Sequence, residues 1–491
     1  MGKTITVNGI QLDEITPYVW EIPAVKEMLV PGRIYGDQKT IDHLVEDVRA
    51  GKQWNALVQI MNVAALPGIV KASLAMADVH PGYGFPIGGV AAFDVEGGVI
   101  SAAGVGYDIN CGVRTLRTSL TQDEVQAKQQ AVAEALFRTV PAGLGSTGDI
   151  HLSKREVDQV LLKGARFSLE RGYGITSDLD FIEEQGCVED ADPGAVSKRA
   201  KEREGRQVGT LGSGNHYLEV QVVEEIYDPE AADAYGLFPD QLLVSIHSGS
   251  RGLGHQIGTD YMKILIEAAS KYGIQLPDRD LACAPFRSPE GQRYYGAMNA
   301  GMNCAFANRQ ALAHLARLAF QKILGTRPED MPTLYEVGHN NAKIEEHEVD
   351  GQVRQLVVHR KGATRAFGPG RTDLPELYRA VGQPVLVGGT MGTASFILCG
   401  TQLGMEETFG SALHGAGRVM SRRRAKRQYW GEDVIKELRG RGIIIRAHSK
   451  AGVAEEAPGA YKDVEQVVSV MHNAGITRKV ARVRPWVCIK G

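Results

Sequence analysis

Apolar positions recur along this chain at two spacings, and the switches between them mark out its elements. Residues 1–65 mix short β-like stretches with one amphipathic pattern that predicts a helix around Ile41–Ala50. From Val70 to Leu116 the character changes to short apolar runs broken by glycine, as in VHPGYGFPIGGVAAFDVEGGVISAAGVGYDINCGVRTL, which predicts several short strands with tight connections. Helices follow. Thr121 with Glu124, and Ser153 with Glu156, stand at capping-box spacing. Residues 185–210 are polar and charged and read as a surface excursion. Strand-like patterns return at YLEVQVV and LLVSIHSGSRG. The longest helical pattern covers 290–325, with Met298, Met302, Ala305, Arg309, Leu312, Leu315 and Leu318 near helical spacing and Gly325 placed to cap it. The last third alternates strand patterns (RQLVVHRKG, PVLVGGT, ASFILCG, ARVRPWVCIKG) with glycine loops. No repeat and no long linker divides the chain, so the expected fold is α+β, a single unit over residues 1–491.

Composition narrows the class. Hydrophobic residues at 43% and charged residues at 23% are globular values, which excludes wholesale disorder. The 58 glycines make up about 12% of the chain against a usual value of about 7%, without a Gly-X-Y period. That surplus reads as backbone chemistry: turns, positive φ and close approach of main chain to a ligand. The start has no apolar core of a signal peptide, and nowhere do 18 apolar residues run together. The six cysteines are scattered with no Cys-x-x-Cys pair, as expected of reduced thiols in a cytoplasmic protein without a membrane span.

Familiar nucleotide machinery is missing from the sequence: there is no Walker A loop, no His-Glu-x-x-His and no Lys-x-Asp-Gly of the lysine-adenylating ligases. What stands out is a set of histidines in glycine-rich surroundings: His80, His216, His247, His339 and His414. His43, His151, His314, His347 and His472 lie in ordinary helical or polar contexts. In DINCG, Asp108 and Cys111 can face one point if the segment turns tightly. One thiolate, one carboxylate and three imidazoles are too many ligands for a closed structural zinc; two ions sharing the thiolate fit better. His414 opens HGAGRVMSRRRAKR, where glycines precede an expected helix rich in Arg422, Arg423, Arg424, Lys426 and Arg427. Six basic residues between Arg418 and Arg427, in a chain of net charge −3, point to a polyanion, with a solvated helix face as the alternative.

Six blocks, AGVGYDINCGVR, GTLGSGNHYLE, HSGSRGLG, EVGHNNA, HGAGRVMSR and the terminal IKG, occur in an order and spacing that resembles the RtcB family of RNA ligases over nearly the whole chain. The resemblance implies a GTP- and Mn2+-dependent ligase with two metal ions. Its substrates would be RNA ends with a 2′,3′-cyclic phosphate or 3′-phosphate and RNA ends with a 5′-hydroxyl, such as transfer-RNA halves, with archease as a possible accessory partner. It implies that His414 becomes guanylylated and that Asp78 orients it. Asp108, Cys111 and His216 would hold one ion, and Cys111, His247 and His339 the other. Guanosine nucleotide contacts would come from Asn215, His216, Tyr217, Leu218, Glu219, His339, Asn340, Gly388, Gly389, Thr390, Met391, Ser395, Gly415, Ala416, Gly417, Tyr461 and Lys490, with Tyr217 and Tyr461 flanking the base. Two other readings stay open on the residues alone: a dinuclear metallophosphoesterase, and a non-catalytic RNA-binding protein that uses the basic stripe.

Overall fold

Strands buried on both faces form the centre of the molecule, which is why they read as unbroken apolar runs. In Gln241–Ser248 every position is buried; Leu242, Val244 and Ile246 enter one apolar cluster and Leu243 the opposite one. The computed structural model describes residues 2–143, 145–148 and 150–491. Gln241–Ser248 belongs to a sheet ordered Thr333–Gly338, Gly112–Thr121, Gln241–Ser248, Tyr217–Ile226, Thr477–Lys490, Ser395–Gly400, Pro384–Val387. Ile444–Ala447 pairs in parallel with Thr477–Lys490. A second sheet runs Thr4–Val7, Ile10–Thr16, Val19–Ile22, Gly32–Tyr35, Ile69–His80, Ile87–Asp94, Gln352–Lys361, Asn340–Val349. The two are joined at His339, the single residue between Thr333–Gly338 and Asn340–Val349. The mixed α/β architecture agrees with the fold class read from the sequence.

The long helix is Pro289–Leu324. Ser288 caps its start by accepting from the Gly291 amide, and Gly325 ends it at φ 75°. At about 1.5 Å per residue it is long enough to serve both sheets. Leu312, Ala313, Ala316 and Phe320 pack under Leu218, Val220 and Val244 of one sheet. Nearer its start, Met298, Met302 and Phe306 share a cluster with Phe93 and Val357 of the other.

Three expectations need correction. The pattern LLVSIHSGSRG is not strand throughout: the strand ends at Ser248, and a 21-residue helix, Arg251–Lys271, follows. Its apolar repeat (Leu253, Ile257, Tyr261, Leu265) begins only after the glycines and serines that make its start look like a loop. Residues 185–210 are not merely a surface excursion. Ala195, Val196 and Ala200 enter the core, and Glu204 is fully buried beside Ala200 on the inner face of the helix Lys198–Glu204. The other charged residues of that helix lie on its outer face and hide the inner one. The expected helix at Ile41–Ala50 spans Gln38–Arg49, because Asp37 caps it by accepting from the Thr40 amide. The expected helix after HGAGR is present as Arg422–Gln428, capped by Ser421 and carrying Arg422, Arg423, Arg424, Lys426 and Arg427. Of the two capping boxes, Ser153–Glu156 opens a full helix, Lys154–Lys163, whereas Thr121–Glu124 opens one turn, Gln122–Val125. No helix among the described residues is long and apolar enough to cross a membrane.

Candidate functional site

Strand register brings four of the distinctive side chains to one end of one sheet. His247 stands opposite both Val113 and Tyr217, and Ser248 and Gly338 both stand opposite Gly112. Cys111 therefore immediately precedes a strand that lies between those carrying His247 and leading to His339, while His216 precedes the next strand over. Asp108 joins them through a turn: the Cys111 amide donates to Asp108 O at 3.1 Å, and Asn110 adopts φ 51°, a left-handed value that asparagine tolerates. The neighbouring backbone approaches very closely. A Cβ on Gly112 would stand 2.5 Å from Val337 O, so only glycine permits this crossing.

The result is two groups sharing one sulfur. Asp108, Cys111 and His216 offer ligand atoms that all lie within 4.8 Å of one another, as do Cys111, His247 and His339. Cys111 Sγ lies 3.3 Å from His216 Nε2 and 3.2 Å from His247 Nε2; His247 Nε2 lies 3.2 Å from His339 Nε2, and His216 Nε2 lies 2.8 Å from Asp108 Oδ2. The far nitrogens are tied back. His216 Nδ1 donates to Leu211 O and His247 Nδ1 to Asn215 O, which directs the Nε2 lone pairs at the cluster. Burial, then the charge of neighbouring histidines, pushes His247 and His339 well below the ordinary imidazole range, so both are held neutral, the form that binds a metal. Lone pairs on sulfur, nitrogen and carboxylate facing one another at these distances fit a cation between them. The donor set, mixing thiolate and imidazole with one carboxylate, suits a divalent transition metal better than calcium or magnesium.

Beside this cluster is a cavity of about 410 Å³. His414, which follows the short strand Ser411–Leu413, lines it with its ring centroid 4.7 Å from that of His339. Its Nδ1 lies 2.7 Å from Asp78 Oδ2, on a carboxylate with no solvent exposure. An Nδ1–H donated to that oxygen leaves the lone pair on Nε2. Asn215, Tyr217, Glu219, Asn340, Gly388, Gly389, Thr390, Met391, Gly415, Ala416, Gly417, Tyr461 and Lys490 also line the cavity. Three of the residues expected to contact nucleotide do not, and of these His216 belongs to the group with Asp108 and Cys111 instead. Leu218 points into the apolar cluster under the sheet, and Ser395 lies one step behind, accepting from the Gly389 amide at 3.0 Å. At the closed end, burial pushes the Glu219 carboxyl up to about 7, with Gln221 Nε2 donating to it at 2.9 Å. Lys490 Nζ donates to Gly214 O and sits 6.0 Å from the centre of the Tyr217 ring.

Several residues that matter to the site escaped the motif reading. Arg309, fully buried in the long helix, donates to Asn110 O at 2.6 Å and Ser248 O at 2.8 Å, and so fastens the Asp108–Cys111 turn to the strand of His247. Its guanidinium is neutralised by Glu336, which also pairs with buried Arg114. The available signal was an arginine on the apolar face of a helix. Lys361 is another. Its Nζ donates to Tyr83 O and Phe85 O, and burial lowers it to about 7. The basic stripe is partly spent within the chain: Arg418 pairs with Glu456, Arg422 with Glu455 and Glu456, and Lys426 with Glu455. Arg423, Arg424 and Arg427 stay exposed.

Similarity to known proteins agrees with this geometry. The family described as tRNA-splicing ligase RtcB matches residues 59–491. A tRNA-splicing ligase RtcB of Thermococcus kodakarensis is 53% identical over 485 residues, covering 98% of this chain and 99% of the relative. Its counterpart in Archaeoglobus fulgidus is 52% identical over 491 residues, covering 99% and 100%. That of Methanococcus maripaludis is 52% identical over 466 residues, covering 94% and 95%. With the motifs in order, the paired ligand groups at one sheet end and identity above half along the full length of these relatives, the chain belongs to the RtcB family of tRNA-splicing ligases.

Proposed function

We propose that the chain is a GTP-dependent RNA ligase that joins a 3′-phosphate end, or a 2′,3′-cyclic phosphate end after hydrolysis, to a 5′-hydroxyl end, with transfer-RNA halves as the natural substrates. The observation that carries this reading is the arrangement around His414. Asp78 pins one ring nitrogen at 2.7 Å, and the ring borders a cavity that has the shared-thiol cluster on one side and Glu219 on another.

In this scheme His414 Nε2 forms a bond to the α-phosphorus of GTP as the α–β phosphoanhydride breaks and pyrophosphate leaves. Asp78 stabilises the charge that the ring acquires, through the Nδ1–H bond. The RNA 3′-phosphate then takes the GMP group as the N–P bond breaks, and the 5′-hydroxyl attacks the activated phosphate with GMP as leaving group. Asp108, Cys111 and His216 would hold one Mn2+ and Cys111, His247 and His339 a second, and ions there supply positive charge against the phosphates. The backbone amides of Gly415 and Gly417 supply donors to the nucleotide, those of 388–390 and 416 being bonded within the chain. Glu219, buried and able to accept from guanine N1–H and the exocyclic amine, selects guanine, because adenine would leave the carboxylate poorly paired.

Incubation with α-labelled GTP and Mn2+ tests the reading. A protein-bound label stable to alkali, released by mild acid and lost in His414→Ala is expected. Folded, metal-loaded protein that takes up no label would refute it and leave a phosphoesterase.

A further inference from the structure

At the cluster end the cavity lining turns aromatic. Tyr83 and Tyr107 both border it, with ring centroids 6.0 Å apart. Trp54 meets Tyr83 edge-on at 5.9 Å, and Tyr107 stacks on His255 at 5.1 Å and 24°. Four rings thus form a continuous path from beside Asp108 to the surface, where Trp54 is 53% and Tyr83 37% exposed and His255 is exposed. They come from four separate segments, so no single amphipathic stripe accounts for the path.

The rings are braced from beneath and open above. The Tyr83 carbonyl accepts from buried Lys361 at 2.7 Å. Tyr107 packs over Gly258, where an added Cβ would lie 3.1 Å from the ring. Cations flank the path. Arg251 lies one turn before His255 on the same helix, and Arg203 crosses Gly252, three residues before His255. Arg203 is exposed and has no carboxylate ion-pair partner among the described residues, whereas the Arg251 guanidinium is taken up within the chain, against Gly212 and donating to Thr210 Oγ1 at 3.3 Å. Flat aromatic faces with the exposed Arg203 guanidinium nearby match a chain that alternates planar bases with phosphates, and match an apolar protein surface poorly.

We propose that the path Trp54–Tyr83–Tyr107–His255 is a stacking platform for the bases of the single-stranded RNA whose terminal phosphate reaches the cluster. The identity of that strand rests on the ligase reading; the stacking itself does not. Trp54 supplies its own probe: Trp20 and Trp486 are buried and Trp430 is 77% exposed, so a Trp430→Phe background isolates the Trp54 signal. Manganese-loaded protein is titrated with an oligouridylate bearing a 3′-phosphate, and with an abasic oligomer of equal length and charge. The uridylate should quench Trp54 and the abasic oligomer should not. Trp54→Ala should weaken uridylate binding about tenfold, Trp54→Phe should restore most of it, and GTP labelling of His414 should be unchanged in both. Equal binding of the two oligomers, or unchanged affinity in Trp54→Ala, would overturn the platform. Absence of GTP labelling in the wild type would strike the ligase reading instead and leave the platform to the quenching result.

Discussion

Gly417 gives the sharpest test of how His414 is held. It lies at φ 73°, and a Cβ there would stand 2.3 Å from Asp78 O and 3.1 Å from the carbonyl carbon. Two costs follow from Gly417→Ala. A left-handed alanine loses about 1–2 kcal/mol. The contact is also roughly 0.7 Å inside the 3.0 Å floor that real Cβ contacts respect, so the Asp78 backbone must move. Because Asp78 Oδ2 fixes His414 Nδ1 at 2.7 Å, that movement passes to the ring. A misplacement on the order of 1 Å costs about 100-fold in rate. Gly325→Ala is the matched control: its φ is 75°, and nothing lies within 4 Å of the added carbon, so it carries the strain without the clash. Single-turnover labelling from α-labelled GTP, with urea denaturation in parallel, separates the two. Both variants should lose stability, and only Gly417→Ala should lose about 100-fold in labelling rate. Labelling of Gly417→Ala at the rate of Gly325→Ala would refute the argument.

Other outcomes follow from the same geometry. Cys111→Ser removes the sulfur common to both ligand groups, so calorimetric titration with Mn2+ should show both sites weakened together; loss of one alone would contradict sharing. Glu336→Gln leaves Arg114 and Arg309 buried without their charge partner and should cost about 3–5 kcal/mol in denaturant unfolding. Burial raises the Glu204 carboxyl from 4.5 to about 8. The folded chain therefore keeps a proton that the unfolded chain releases, and this group drains stability as pH climbs through that interval. Glu204→Gln should match the wild type near pH 4 and exceed it at pH 9; parallel stability profiles would show that the carboxyl is not held neutral. Neutralising Arg423 and Arg424 should reduce the salt slope of RNA binding by about 0.7 for each phosphate that is no longer paired with a guanidinium. Neutralising Arg422, already paired with Glu455 and Glu456, should reduce it less.

The cluster of Asp108, Cys111, His216, His247 and His339 was legible because each member falls in a short glycine-bounded block, where a side chain has few directions to point. Pairing was not. Nothing local shows that His247 stands opposite Val113, or that His414 and His339 meet across two sheets. The helix Arg251–Lys271 was hidden because its first turn carries glycine for packing where a helix former would announce it: a Cβ on Gly254 would stand 1.9 Å from Ser250 Oγ. The inward face of Lys198–Glu204 was masked by outward lysines and arginines. Leu218 shows the limit of motif transfer, since it shares a block with Tyr217 and Glu219 but alternation along a strand sends it to the other face.

The strand Thr477–Lys490 lies between Tyr217–Ile226 and Ser395–Gly400, although it comes last in chain order. On a ribosome, Tyr217–Ile226 must wait for its second neighbour while all the intervening residues are made, on the order of tens of seconds at about 5–20 residues per second. Throughout that time its backbone presents an unpaired edge, open to wrong pairings and to chaperones. Lys490 arrives with the same strand, so the cavity lacks this part of its lining until Thr477–Lys490 has been made. A nascent chain that already carries every histidine of the cluster still lacks the strand that completes the cavity beside it.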